Sequence, residues 1–259
     1  MDLGIAGRRA LVCASSKGLG LACATALAQE GCEVTINGRD AQALEQAAQR
    51  LRERTGAKVS IIAADLNTVA GRERIIAACP DPDILVNNNA GPPPGNWADF
   101  RREDWLAAVE SNMLAPIALI QAFVPGMRAR QFGRVVNITS AMVKAPFVHM
   151  SLSTTARAGL TAFCKAVSRD VAADNVTINN LLPERIDTGR QKFMIERRAK
   201  LDGVSLDEAR RAISNTIAAK RFGTPEEFAS ACAYLCSDLA AFISGQNVQV
   251  DGGTYPGLV

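Results

Sequence analysis

The stretch that decides the fold reads Arg9-Ala-Leu-Val-Cys13-Ala-Ser-Ser-Lys17-Gly18-Leu-Gly20. Its first five residues are typical of a buried β-strand, and apolar residues then recur at helical spacing from residue 18 to residue 31. Small residues fill the turn between this strand and this helix. Such a turn lets the backbone approach a phosphate group, and the helix N-terminus offers free N–H groups and a partial positive charge. The stretch therefore predicts a phosphate-binding turn after the first strand of an α/β fold.

The alternation of strand and helix patterns continues along the whole chain. Short apolar runs separated by longer helical patterns are typical of βαβ units, which build parallel sheets. The sequence therefore predicts a Rossmann-type α/β fold, a doubly wound and mostly parallel sheet of about seven strands with helices on both faces. The predicted strands cover residues 9–13, 33–37, 58–63, 83–87, 134–138, 177–182 and 247–251, and the predicted helices cover residues 18–31, 40–54, 69–78, 103 to beyond 116, 151–173 and 225–235.

Residues 1–259 are expected to form a single domain, within which one segment differs in pattern. Residues 184–222 are rich in charged side chains and show only weak periodicity. Because ligands of open α/β sheets bind at the carboxyl ends of the strands, we expect residues 184–222 to form a mobile insert above such a site. A kink is expected in the long helix at Pro116, since proline removes a helical hydrogen bond.

The composition excludes several classes of protein. The net charge of +3 and the lack of a dense Lys/Arg tract argue against nucleic acid as a partner. No run of about 18 apolar residues and no apolar signal-peptide core occur, so we expect neither a membrane span nor secretion. The seven cysteines form no C-x-x-C pair, which is typical of buried thiols in a reducing cytoplasm. With His149 as the single histidine, no metal site is expected.

The segment Asn37-Gly-Arg39 follows the second strand, where a dinucleotide-binding fold places its contact with the adenosine ribose. An acidic residue there would accept hydrogen bonds from the ribose 2′-OH of NAD, but Asn37 carries no charge. Arg39 and Lys17 can instead pair with the 2′-phosphate of NADP. These residues favour NADP over NAD, with the alternative that Arg39 is a solvated turn residue.

Motifs along the whole chain resemble those of the short-chain dehydrogenase/reductase family. Gly18 and Gly20 match the later glycines of its T-G-x-x-x-G-x-G motif, and Asn88-Asn-Ala-Gly91 matches its N-N-A-G motif. Residues 244–253 match the family's C-terminal segment. The resemblance implies cofactor contacts by Ala14, Ser16, Lys17, Gly18, Leu19, Gly20, Asn37, Arg39, Asp65, Leu66, Asn88, Ala90, Gly91, Arg157, Pro183, Ile186 and Thr188.

Two positions depart from the family's motifs around the nucleotide. Ala14 replaces the first glycine of the turn. Its methyl group would weaken cofactor binding if the backbone there needs a positive φ, but the favoured interpretation is that alanine is simply tolerated. Glu184 replaces the glycine of the family's P-G-x-I-x-T stretch, which contacts the nicotinamide carboxamide, and this change is expected to alter the loop.

The residues that carry the family's chemistry are only partly present. Ser140 matches its catalytic serine, which orients the substrate carbonyl, and Asn112 matches the asparagine that supports a water in its proton relay. The family's Tyr-x-x-x-Lys motif begins thirteen residues after Ser140, where this chain has Ser153 and Arg157. In the family the tyrosine transfers the proton, while the lysine lowers its pKa and holds the ribose. Arg157 keeps a cation for the ribose, whereas the proton donor is lost.

Three replacements for the lost proton donor stay open. Histidine is the side chain that ordinarily titrates near neutral pH, and His149 precedes the helix that carries Ser153. The alternative is that His149 is a plain loop residue. Lys144, in the loop after the fifth strand, is a second candidate and solvent is the third. Tyr234 and Tyr255 are the only tyrosines, and both lie in the C-terminal region.

The resemblance is strongest to 3-oxoacyl-acyl-carrier-protein reductases. It implies an NADP-dependent oxidoreductase that reduces a carbonyl group, such as that of a 3-oxoacyl thioester, or oxidises its alcohol, and it implies a homotetramer. The alternative is an inactive nucleotide-binding relative that serves as a sensor or assembly partner. The replaced Tyr and Lys favour that alternative, whereas Ser140 and Asn112 favour an active enzyme. A Rossmann-type methyltransferase is disfavoured by the N-N-A-G turn and the C-terminal match.

Overall fold

A computed structural model describes residues 1–258 of the protein and contains one sheet of seven strands, all paired in parallel. The strand order is β3-β2-β1-β4-β5-β6-β7. This confirms the predicted doubly wound fold, and each strand ends within one residue of its predicted bounds. The strands are β1 Arg9–Val12, β2 Glu33–Gly38, β3 Val59–Ala63, β4 Ile84–Asn87, β5 Gly133–Ile138, β6 Val176–Pro183 and β7 Asn247–Val250.

Helices cover both faces of this sheet. The first, second and ninth helices pack on one face, and the third, fifth and sixth pack on the other. Alternate residues of β1 divide between the two cores, because successive side chains of a strand point to opposite faces. The helices are α1 Gly18–Gln29, α2 Ala41–Thr55, α3 Val69–Ala78, α4 Arg102–Val109, α5 Ala115–Ala129, α6 Ser151–Val171, α7 Gly189–Asp202, α8 Leu206–Thr216 and α9 Pro225–Leu235.

A local signal fixes the start of α2. The side chain of Asp40 accepts hydrogen bonds from the backbone N–H groups of Gln42 and Ala43, at 2.9 and 3.1 Å. Asp40 thus satisfies two N–H groups that the first helical turn leaves without partners, which is the predicted N-cap. Gly56 closes the same helix in a left-handed conformation, with φ +69°.

The helical run from Arg102 to Ala129 is continuous, but its irregularity differs from the one predicted. A π-helical turn, Glu110–Leu114, joins α4 to α5 and ends just before Pro116. Proline has no N–H to bond the carbonyl four residues earlier, which here belongs to Asn112. The backbone therefore widens into a π-turn ahead of the proline instead of bending at the proline itself.

By length and composition the run Arg102–Ala129 could cross a membrane. Much of its apolar surface is nevertheless inside the protein. Leu119, Ile120 and Phe123 are buried in the core between α5 and the sheet. A single run of this kind is what the core helix of an α/β protein also has, so it gives only weak support for a membrane span.

The segment of residues 184–222 contains two helices that the sequence reasoning missed. α7 and α8 pack against each other around a small core of their own. A capping box starts α8, since Ser205 accepts from the N–H of Glu208 while the Glu208 carboxylate accepts from the N–H of Ser205. The Ser-x-x-Glu pattern at 205–208 was the sequence signal for this helix. The core residues are Ile195, Ala199, Ala209, Ile213, Ile217 and Phe222.

Candidate active site

The site lies where the strand order reverses, between β1 and β4 at the carboxyl edge of the sheet. Open α/β sheets bind ligands at this switch point, because the loops after the two strands diverge and leave a crevice. One hydrogen bond ties the two loops together at its base. The side-chain amide of Asn88, after β4, donates to the backbone carbonyl of Ala14, after β1, at 3.1 Å. Asn88 thus braces the turn.

The turn after β1 is built for close approach of backbone to backbone. A Cβ atom at Gly20 would lie 2.6 Å from the carbonyl oxygen of Ala14 and 2.8 Å from Nδ2 of Asn88. Only glycine is compatible with such distances. Gly18 has φ +61°, and open space surrounds the position of its missing side chain. The cradle at the start of α1 therefore has the small residues that a dinucleotide phosphate requires.

Ala14 has φ +44°, in the left-handed region that favours glycine. The interpretation favoured from the sequence, that alanine is simply tolerated here, is therefore too mild. A non-glycine residue in this conformation costs about 1–2 kcal/mol. Two hydrogen bonds keep Ala14 in this conformation. Asn88 donates to its carbonyl, and its own N–H donates to Oδ1 of Asn37 at 3.4 Å.

Asn37 is fully buried, which corrects its predicted role as a cofactor contact. Its amide nitrogen donates to the carbonyls of Ile62 and Ala64 at 3.0 and 3.1 Å, and its amide oxygen accepts from Ala14. The side chain has no surface left for a ribose, because it is 0% exposed. Asn37 instead joins the ends of β2 and β3 to the nucleotide turn.

The cations predicted to meet a 2′-phosphate remain available. Lys17 and Arg39 are exposed, and within residues 1–258 neither forms an ion pair. Ser16 and Leu19 lie on the same turn and are half-buried. The adjacent loop after β3 is held by its own contacts, since the Asp65 carboxylate accepts from the Asn67 N–H at 3.0 Å. Cofactor contacts by these residues stay predictions.

A small cavity of about 20 Å³ at the end of β4 is lined by two of the predicted catalytic residues, Asn112 and Arg157. Asn112, Arg157 and Leu66 line it together with Asn88. This volume has room for one water molecule. Asn112 is buried in the π-turn, where its amide donates to the Ser111 hydroxyl at 2.7 Å and to the Ala90 carbonyl at 3.4 Å. The π-turn thus places Asn112 against the loop that contains Ala90.

Ser153 and Arg157, four residues apart on α6, form one hydrogen-bonded unit. A terminal nitrogen of Arg157 donates to the Ser153 hydroxyl at 3.2 Å. The Ser153 side chain is almost completely buried, with 1% of the residue exposed. Burial, and to a smaller degree the charge of Arg190, lowers the pKa of Arg157 to about 10. Arg157 therefore stays protonated at neutral pH, and Ser153 lies behind it as an acceptor.

Ser140 lies just after β5, where its hydroxyl oxygen accepts from the Met142 N–H at 3.2 Å. Its own O–H remains available to donate to a substrate. The two candidate donors nearby differ in setting. His149 is exposed and stacks on Phe147 with 5.8 Å between the ring centres. Lys144 is half-buried, with Nζ 5.5 Å from the centre of the Tyr255 ring.

The proximity of Tyr255 to Lys144 could not be foreseen from the chain order, because the two residues are 111 positions apart (255 minus 144). The fold also gives Glu184 an unforeseen setting. Its side chain is only 9% exposed, with a carboxylate oxygen 3.6 Å from Nε of Arg185. Burial raises the pKa of Glu184, and the nearby Asp251 adds to that effect.

The loop after β6 leads from the sheet into α7. Pro183 is the last residue of β6, and Ile186 is buried and forms an isolated parallel bridge with Gly223. Thr188 is the N-cap position of α7 but makes no capping bond through its side chain. The cofactor contact of Thr188 stays a prediction.

These features together define a dinucleotide-binding α/β protein of the oxidoreductase type. The family model described as enoyl-(acyl carrier protein) reductase, a model of short-chain dehydrogenases and reductases, matches residues 13–255. The chain belongs to the short-chain dehydrogenase/reductase family. This confirms the resemblance that the motifs indicate.

Similar proteins span essentially the whole chain. The NADPH-dependent reductase BacG of Bacillus subtilis is 32% identical over 256 residues, covering 97% of this chain and 99% of BacG. The 3-oxoacyl-[acyl-carrier-protein] reductase FabG of Vibrio cholerae is 30% identical, with coverages of 98% and 99%. The crystal structure of L-sorbose reductase from Gluconobacter frateurii, complexed with NADPH and L-sorbose, has a TM-score of 0.95 at 30% identity, with full coverage of both chains. These relatives are reductases.

Replacement of Gly20 by alanine should weaken NADPH binding at least about tenfold, because the new methyl group must displace the Ala14 carbonyl or Asn88. The dissociation constant is measured by titrating NADPH fluorescence. Gly56→Ala, after the last residue of α2, is the matched control, since its methyl group meets no atom within 4 Å and only the positive φ opposes it. Equal affinities of the two variants would show that the Gly20 contact does not shape the nucleotide site.

Replacement of Asn37 by aspartate should lower the free energy of unfolding at pH 7 by about 3 kcal/mol, because a carboxylate would face the Ile62 and Ala64 carbonyls without a donor. The folded-state pKa of this acid would be raised, so the lost stability should return as pH falls through that pKa. Urea unfolding at pH 7 and pH 5 measures this, with the exposed Asn67→Asp as control. A stable Asn37→Asp variant with a new preference for NADH would contradict this assignment, because it would show that residue 37 contacts the cofactor ribose.

Proposed function

We propose that this protein reduces a carbonyl group by hydride transfer from NADPH, with a proton donor other than tyrosine. The observation that carries the proposal is the cradle at the switch point, where Gly20 leaves no room for a side chain beside Ala14 and Asn88. Backbone strain, here at Ala14, clusters at ligand-binding sites, and Gly18 and Gly20 in the same turn leave room for a phosphate.

The cofactor is NADP(H). NADPH-dependent or NADP-bound reductases are found among both the curated relatives and the similar structures. In this chain Lys17 and Arg39 are exposed cations that would pair with the 2′-phosphate, and the α1 N-terminus with Gly18 and Gly20 would hold the diphosphate. When bound, NADPH supplies the hydride.

The chain's own residues polarise the substrate. The Ser140 hydroxyl accepts from Met142, which leaves its proton to be donated to the substrate carbonyl oxygen. Arg157 contributes a cation that favours negative charge developing on that oxygen and that can hold the ribose. Asn112 supports a water in the cavity that it shares with Arg157.

Ser153 does not replace the missing phenol. Its hydroxyl is buried and accepts from Arg157, and an alcohol is a far weaker acid than a phenol. The proton therefore comes from Lys144, His149 or solvent. Lys144 is the better placed of the two side chains, since it is half-buried in the loop that follows Ser140, whereas His149 is exposed.

The second candidate function is that of an inactive nucleotide-binding sensor or assembly partner. The burial of Ser153 favours it, because no acidic hydroxyl then remains at the tyrosine position.

A 3-oxoacyl thioester as substrate is proposed from the likeness to FabG. A homotetramer and a cytoplasmic location rest on the family resemblance and on the seven unpaired thiols. We further propose that α7 and α8, within residues 184–222, move over the site when substrate binds.

Replacement of Ser140 by alanine should lower kcat at least about 100-fold, because the carbonyl loses its hydrogen-bond donor, while NADPH affinity stays within about twofold. NADPH consumption is followed on a panel of ketones and 3-oxoacyl thioesters, with the buried core change Val136→Ala, on the preceding strand, as control for general damage. Tight NADPH binding by the wild type without turnover of any panel member would favour the sensor function instead.

Replacement of Arg39 by alanine should raise the dissociation constant of NADPH about tenfold and leave that of NADH unchanged, because only NADPH carries the 2′-phosphate. Fluorescence titration with both nucleotides measures the ratio. Arg50, exposed on α2, provides a matched control through Arg50→Ala. Equal losses for NADPH and NADH would assign the NADP preference to other residues.

A further inference from the structure

Two arginines from different helices meet at the loop after β4. The terminal nitrogens of Arg157, on α6, lie 3.6 Å from the position that a Cβ atom at Gly91 would take. Arg190, in the first turn of α7, donates to the carbonyl of the next residue, Pro92, at 3.0 Å. Their side chains thus converge on consecutive residues from two sides of the crevice.

Neither guanidinium has an acidic partner within residues 1–258. Of the acids near Arg190 along the chain, Glu184 pairs with Arg185 and Asp187 with Arg210, and Glu196 forms no ion pair with Arg190. Arg157 offers five N–H donors and uses one of them, toward Ser153. Arg190 uses one donor, toward Pro92.

Two neighbouring cations without a counter-charge repel each other, and Arg157, the more buried of the two, also loses hydration. Arg190 is exposed and lies over the Phe193 ring, 5.5 Å from its centre. The charge of Arg190 indeed contributes to the lowered pKa of Arg157. Both stay charged at neutral pH, because arginine begins from a pKa well above 7. An anion that binds between them would supply both the missing charge and the missing acceptors.

The diphosphate of the cofactor does not account for this pair. Its cradle lies after β1, at the N-terminus of α1, whereas Arg157 and Arg190 meet after β4. Arg157 also borders the cavity of Asn112 and is bonded to Ser153, so it lies on the side where the carbonyl chemistry takes place. An anionic group of the substrate would fit on this side of the crevice. Because Gly91 and Arg157 are also predicted cofactor contacts, the NADPH dissociation constant has to be measured alongside substrate preference.

Building on the proposed reductase function, we propose that Arg157 and Arg190 form a carboxylate subsite and that the protein reduces oxo acids in preference to neutral ketones. A planar guanidinium matches a carboxylate through paired hydrogen bonds, and two of them can enclose its two oxygens. The carboxylate itself is unchanged in the reaction. It orients the substrate so that the carbonyl faces Ser140.

The test compares matched acids and esters as substrates of the wild type, Arg190→Gln and Lys192→Gln. Phenylpyruvate is paired with its methyl ester, and acetoacetate with ethyl acetoacetate. Lys192 is exposed on the same helix turn and borders the crevice between α7 and α8, so its change removes one charge outside the subsite. The readouts are kcat/KM for each substrate and the NADPH dissociation constant.

The wild-type kcat/KM should be about tenfold or more higher for at least one acid than for its ester. Arg190→Gln should lower kcat/KM about tenfold for the acid and leave that for the ester unchanged. NADPH affinity should stay within about twofold in both variants, and Lys192→Gln should match the wild type. Esters used as well as their acids in both pairs would overturn the proposal. So would an equal loss of NADPH affinity, which would assign Arg190 to the cofactor.

A binding experiment keeps this proposal separate from the proposed function. Calorimetry on the NADP⁺ complex with benzoate, benzamide and phenyl phosphate requires no turnover. Benzoate that binds through Arg190, with benzamide bound about tenfold more weakly, would support the subsite even if no panel ketone is reduced. Phenyl phosphate bound more tightly than benzoate, or benzoate binding unaffected by Arg190→Gln, would overturn the carboxylate assignment.

Discussion

The structure depends most on the close contact at the switch point between β1 and β4. Asn88 can bond the Ala14 carbonyl only because Gly20 has no side chain between them. The same turn is anchored from its other side by Asn37, which bonds the ends of β2 and β3. One residue without a Cβ therefore lets four strand ends join around the nucleotide cradle. The strain at Ala14 persists because this network over-determines the turn.

A second constraint governs the chemical end of the site. By the sequence resemblance Arg157 stands where the family has lysine, and its forked side chain uses one nitrogen to bond Ser153 on the same helix face. The Ser153 hydroxyl is buried and accepts a hydrogen bond from Arg157, whereas a proton donor would have to be exposed to the substrate. The substitution of both positions is thus internally consistent. It keeps a positive charge on this face of α6.

The sequence predicted the sheet well because each strand is a continuous apolar run between two helical patterns, a signal that local periodicity carries. The predicted cofactor contact of Asn37 was wrong, because its side-chain amide is buried and donates to the carbonyls of Ile62 and Ala64. No local sequence pattern reveals these distant partners. The helices α7 and α8 were missed because their charged residues mask a short apolar face. Arg190 and Tyr255 gave no signal at all, because their neighbours are fixed only by the fold.

The loss of the tyrosine does not by itself argue for a protein without activity. A nucleotide-binding sensor needs the cradle after β1, but it has no need of two cations facing each other after β4. Neither arginine has an acidic partner within residues 1–258, and the charge of Arg190 helps to lower the pKa of Arg157. A second ligand beside the nicotinamide end is the simplest resolution of this imbalance. Under the proposed function such a ligand is the substrate, bound through its own negative charge.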